Sequence, residues 1–186
     1  MTPRLPRLVP AELDPDQRAV YDAIAGGRRA QGPQLFPLVD ADGGLAGPYN
    51  AYLVQPRLGF ALQALGAAVR YETSLSDRAR EIAILVTAVH ADAAFEWYAH
   101  EAIGRHAGLT DDELDALRTG RFAVFADEIE QATAVTAHAL CARGDLDDDE
   151  YRRAADLLGE SGVFELLTLT GYYLALATQL RVFRVS

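Results

Sequence analysis

The chain has 186 residues, half of them hydrophobic, and 27 acidic against 17 basic side chains leave a formal charge of −10. That length is one domain's worth and buries roughly 70% of the unfolded surface without a covalent staple. The acidic balance excludes nucleic acid, whose phosphates need clustered cations. The single cysteine, Cys141, excludes an intrachain disulfide, a CxxC redox couple and a cysteine-rich zinc site, so a reducing cytoplasm is expected.

Residues 1–13 read as an N-terminal arm, because Pro3, Pro6 and Pro10 remove donors and bias their predecessors away from helix. With three prolines and no apolar run, the first ten residues do not resemble a signal peptide. Asp14, Pro15 and Gln17 then form an N-cap, a first-turn proline and a capping box, opening a helix that stops at Gly26 and Gly27. Residues 28–47 lack a sustained period and form a long loop, suited to a pocket wall or an oligomer contact. Pro48 opens a short helix over 49–55, and Pro56 a longer one with Leu58, Leu62, Leu65 and Val69 expected to form its core face.

The stretch 80–108, REIAILVTAVHADAAFEWYAHEAIGRHAG, sets ionisable groups inside apolar runs. Ser76 caps a helix carrying Glu81 whose run of Ile82 to Val86 leaves little polar face, so it is buried on most sides. Asp92 is expected to cap a second helix, on which Glu96 and His100, four apart, share a face. If the two helices pack as a hairpin, Glu81 can approach that pair. Downstream, Thr110 and Glu113 form a capping box with Leu109 and Leu114 as a staple, and Gly120 ends that helix. A helix over 127–142 stops at Gly144, and Asp147 and Glu150 repeat the capping box. Gly162 is expected to separate the helix that follows from the last one. The run 163–177 is shorter than the ~20 residues of a bilayer span and contains Glu165, so no membrane segment is expected. About eight helices and no strand make the fold class all-α. EIAILVTAV and ELLTLTGYY align Glu81 with Glu165, suggesting an internal duplication with a second buried carboxylate.

The lines LSDRAREIAILVTA and FEWYAHEAIGRHAGLTDDELDAL, flanked by DGGLAGPYNAYLVQPRLGFALQALG and ELLTLTGYYLALATQLRVF, resemble the carboxymuconolactone decarboxylase family, which shares the AhpD-like fold of alkylhydroperoxidases. The resemblance covers roughly residues 35–183 and implies a single AhpD-like domain over 1–186. In the peroxidase pattern Glu81 and His100 match, but the cysteine positions fall on Ala93 and Glu96, which implies the branch without a CxxC pair. That branch works without cofactor. It implies His100 as general acid/base, Glu96 orienting it or shuttling the proton, Glu81 completing a buried polar network, and a pocket beside Tyr49, Asn50 and Trp97. A small carboxylate or lactone substrate and a homo-oligomer, trimer or hexamer, are implied too. One imidazole, with no HExxH or paired-histidine spacing, does not read as a metal site. The other reading is a non-catalytic binding or assembly protein that keeps the fold and has lost the peroxidase pair.

Overall fold

In the computed structural model, residues 2–31 and 34–185 are described. The chain divides into two compact units, Met1–Glu72 with Thr178–Ser186, and Thr73–Ala177. Among the described residues the ordered elements are helices, joined by turns and one isolated bridge between Val39 and Leu45. The fold class is all-α.

In the first unit, α1 (Pro15–Ala25) starts at the capping box read from the sequence: Gln17 N donates to Asp14 Oδ1 at 2.8 Å, and Asp14 N to Gln17 Oε1 at 3.1 Å. Its Val20 and Ile24 are buried. The arm is tied down rather than loose. Asn50 accepts from Leu8 N and donates to Pro6 O, and Arg4 bonds the carbonyls of Val182 and Phe183. The loop over 28–47 contains a 3-10 turn at Arg28–Ala30 and a reversal built on Asp40, whose carboxylate accepts from the backbone of Asp42 and Gly44. Arg7 pairs with that carboxylate and, through this hydrogen bond above all, holds it below the usual range.

The short α2 (Tyr49–Tyr52) runs into α3 (Pro56–Tyr71) so closely that a Cβ on Gly59 would lie 2.1 Å from the Tyr52 carbonyl oxygen, and only glycine fits there. The expected core face of α3 holds at Val69 and fails at Leu58 and Leu65. Leu58 is 59% exposed and Leu65 39%, whereas Gly59, Gln63, Gly66 and Val69 are buried. Gln63 keeps its amide satisfied by donating to the Ala23 carbonyl of α1 and accepting from Arg29.

In the second unit, α4 (Asp77–His90) is the centre. Ser76 caps it, and Ala79 and every residue from Glu81 to Ala88 are buried, as a helix without a polar face requires. Packed on it are α5 (Ala94–His106), α6 (Asp111–Thr119) and α7 (Glu128–Arg143). Asp92 does not cap α5. It takes the left-handed conformation (φ 50°) that turns the chain between α4 and α5, a conformation Asp tolerates better than most side chains, and Ala93 stands at the N-cap without a side-chain bond. Thr110 and Glu113 form both halves of their box, and Gly120 and Gly144 take the left-handed cap conformation. After the Asp147 and Glu150 box, α8 (Asp148–Phe183) is interrupted at Gly159 (φ 71°, ψ 164°), three residues before the expected break at Gly162.

Arg78 on α4 ties this unit together. Its guanidinium forks onto Glu130 of α7 (2.6 and 2.9 Å), reaches Glu113 of α6 (2.7 Å) and donates to the Gly108 carbonyl. Those bonds raise its pKa further, the Glu130 bond foremost, while burial works against them. Glu165, aligned above with Glu81, is not a second buried carboxylate. It lies half-buried and accepts from Ser74 N and Oγ at 2.9 Å, capping the chain that enters α4.

Candidate acid/base site

The α4–α5 hairpin sets residue 81 opposite residue 100, and the side chains meet: His100 Nδ1 lies 2.6 Å from Glu81 Oε2. On the other side of the ring, Nε2 lies 3.5 Å from Glu96 Oε2, one helical turn back on α5. Glu81 is 1% exposed, and Glu96 and His100 4% each. The sequence left open whether Glu81 reaches the other two, and the hairpin brings it there. Arg78 is engaged as described, Arg80 pairs with Asp77, and Arg105 with Glu101 and Asp111.

The two contacts differ in kind. At 2.6 Å, Nδ1 and Glu81 Oε2 are within a short hydrogen bond whose direction depends on the ring tautomer. At 3.5 Å, Nε2 and Glu96 are at the outer edge of hydrogen-bond reach. The ring is also clamped from α8, where Tyr173 meets it edge to face at 5.1 Å (88° between planes) and Tyr172 meets Tyr173 the same way at 5.4 Å. Both tyrosines are buried. From the sequence Tyr173 reads as a core aromatic, with pocket lining the less favoured alternative. Its signal was the aromatic pair in TGYY, which periodicity alone assigns to packing.

Trp97 follows Glu96 but turns to another face of α5. Its indole N–H donates to Glu101 at 2.7 Å, and Arg118 of α6 lies over its ring at 4.0 Å. Burial pushes the Glu101 carboxyl up, but the bonds from Trp97 and Arg105 and the charges of Arg118 and Arg105 outweigh it and hold it below the usual range. Tyr49 and Asn50 belong to the first unit, where Asn50 holds the arm and Tyr49 meets Tyr52 edge to face under the Arg29 guanidinium. Cys141 is partly buried and donates to Thr87 Oγ1 at 3.7 Å. Burial pushes its thiol up, only partly offset by that bond, so a thiolate is disfavoured.

Residues 56–138 match the profile of the carboxymuconolactone decarboxylase family. Similar folds occur in a protein of unknown function from Agrobacterium tumefaciens, a candidate AhpD antioxidant defence protein (19% identity, TM-score 0.66, covering 74% of this chain and 94% of that one). They occur also in the debrominase Bmp8, both in a variant complexed with 2,3,4-tribromopyrrole (15% identity, TM-score 0.75, 100% and 92% covered) and in the apo form (14%, 0.73, 97% and 89%). No curated protein matches the sequence. Among the described residues no helix is long and apolar enough to cross a membrane. The chain is thus similar to the carboxymuconolactone decarboxylase family over residues 56–138, on an AhpD-like fold and without a CxxC pair.

Proposed function

We propose that this protein is a cofactor-independent acid/base enzyme, a decarboxylase or a related lyase or isomerase of a small organic acid or lactone. The observation that carries this reading is His100 buried between two carboxylates, one at 2.6 Å and the other at 3.5 Å. Burying three ionisable groups is costly, and a packed apolar core would do as well for stability. A cluster with a movable proton has a use in general acid/base catalysis.

In this reading Glu81 orients the ring, whereas the sequence reading had Glu96 orienting it or shuttling the proton and Glu81 completing the polar network. Glu96 shuttles the proton at Nε2. In a decarboxylation the bond between the carboxylate carbon and its neighbour breaks, CO₂ leaves, and the electron pair stays on the substrate as an enolate or dienolate. His100 then delivers its Nε2 proton to carbon and regains it from solvent through Glu96. An isomerisation uses the same residues, with the proton removed at one carbon and returned at another. A thiol mechanism is not supported, given one partly buried cysteine with a raised pKa.

The test is incubation with β,γ-unsaturated acids and lactone acids in D₂O, following CO₂ release and deuterium entering carbon. His100→Gln should lower the rate on the order of 10²-fold or more. Undiminished turnover in folded His100→Gln overturns the reading, and the absence of both CO₂ release and exchange across the panel favours the non-catalytic alternative. We also infer a homo-oligomer, trimer or hexamer. On α8, Phe164 (70% exposed), Leu167 and Gly171 are exposed, and among the described residues nothing lies within 4 Å of a Cβ on Gly171, a mid-helix glycine that costs about 1 kcal/mol relative to alanine. A monomer by light scattering at micromolar concentration contradicts this.

A further inference from the structure

A cavity of about 350 Å³ opens between α7 and the part of α8 that precedes Gly159. Ala132 and Ala139 on one helix and Ala154 on the other make the space, since a longer side chain at any of them would enter it. Glu81, Glu96, His100 and Trp97 do not line it.

One polar group faces this space from a buried position. Thr136 is 6% exposed and lines the cavity, yet its hydroxyl makes no hydrogen bond among the described residues. A helical threonine can bond back to the carbonyl one turn earlier, and Thr87, Thr133 and Thr168 each do so at 2.8 Å. Thr136 forgoes that bond. A buried hydroxyl without a partner is costly, and the geometry leaves the cavity as the source of one. The charged groups of the lining do not compete for that place. Glu150 is engaged by Arg143 and by Asp147 N, while Glu128 and Arg153 are exposed and opposite in sign. The floor therefore offers a ligand alanine methyls and one hydroxyl that both donates and accepts.

We propose that this cavity binds a small neutral molecule with an apolar body and a single hydroxyl, a phenol or an alcohol, its body against the three alanines and its hydroxyl on Thr136. A hydroxyl suits either proton position of Thr136, because each partner can donate or accept. A carboxylate at the floor would lose its hydration with no cation beside it. The site stands apart from the acid/base reading, because binding here requires no turnover and no participation of His100.

Calorimetric titration of the full-length protein with p-cresol should give saturable binding, with toluene weaker on the order of fivefold, the scale of one neutral hydrogen bond. Thr136→Val keeps the branched shape and removes the hydroxyl, so it should bring p-cresol down to the affinity of toluene and leave toluene nearly unchanged. Ala132→Leu, which fills the cavity from a half-buried position, should remove binding of both while circular dichroism shows the helices retained. The proposal is overturned if p-cresol and toluene bind the wild type equally, or if p-cresol gives no saturable binding. It is overturned too if Thr136→Val or folded Ala132→Leu leaves the p-cresol titration unchanged. Tighter binding of 4-methylbenzoate than of p-cresol would place recognition on Arg153 and contradict it, and loss of p-cresol binding in folded His100→Gln would place the ligand at the acid/base cluster instead.

Discussion

Arg78 and Glu81 stand one turn apart on the same helix, and each anchors a cluster of charged groups with partners from other elements. Around Arg78, a permanent cation meets two carboxylates and a carbonyl with four close hydrogen bonds, and the group stays partly open to solvent. Around Glu81, two carboxylates share one imidazole in the interior, with one tight contact and one long one. The first arrangement has no proton to give, since arginine remains charged throughout the accessible pH range. The second has a proton whose position depends on ring and carboxylate together. Saturated pairing marks a structural tie, and buried pairing with a movable proton marks a candidate site.

The largest expected effect breaks the structural member of this pair. Arg78→Leu leaves Glu130 and Glu113 without their cation, and should cost about 3 kcal/mol of stability, or a fall in Tm of roughly 10 °C. Turnover per folded molecule should be unchanged. Thermal unfolding and activity measured on one preparation check both halves, and lost activity with retained stability would erase the distinction between the clusters.

Within the acid/base cluster the two contacts should separate. Glu81→Gln removes the charge from the 2.6 Å bond and should cost about 2 kcal/mol together with turnover, since a buried charge-assisted bond is weakened. Glu96→Gln acts at 3.5 Å and should cost less than about 1 kcal/mol in stability while still lowering turnover and altering its pH profile. Equal stability losses would contradict the tight and loose assignment.

Acid should loosen the Arg78 cluster in a defined direction. Burial raises the Glu113 carboxyl, but the bonds from Arg78 and from Thr110 hold it net below its usual 4.5. A carboxyl lower in the folded state than in the unfolded contributes stability that is complete above the unfolded value and disappears as pH falls through the folded one. Denaturant titrations from neutral pH downward should show stability falling below about pH 4.5, with a shallower fall in Glu113→Gln. An identical slope in that variant removes Glu113 from the account.

How much was legible follows from the range of each contact. The three capping boxes and the stops at Gly120 and Gly144 depend on residues three or four apart, and the structure has them where the sequence put them. The Glu96 and His100 register is equally local. Leu58 and Leu65 were misplaced on the core face of α3, because the leucine spacing carries no trace of the close approach of α2 at Gly59. Asp92 looked like a cap because Asp serves both at helix starts and in left-handed turns, and the turn prevailed. The meeting of Glu81 with His100, nineteen residues apart, and of Tyr173 with His100, seventy-three apart, required helix packing to be known. The Trp97 to Glu101 bond is an i,i+4 contact open to sequence reading, and it redirects Trp97 away from the His100 face.

The smallest effect concerns Cys141. Cys141→Ser should change stability by less than about 1 kcal/mol and leave turnover intact, because a partly buried thiol with a raised pKa is a weak nucleophile. Loss of activity in that variant would move the chemistry away from His100.

The central claim is that Glu81 fixes the His100 tautomer and leaves Nε2 to exchange the proton, and long-range proton–nitrogen NMR of the imidazole tests it without any substrate. The account predicts that Nδ1 remains protonated across the titration of the wild type, that the proton is lost and gained at Nε2, and that Glu81→Gln releases this preference. A His100 that keeps its proton on Nε2 and exchanges it at Nδ1, or one whose tautomer is indifferent to Glu81→Gln, would contradict it.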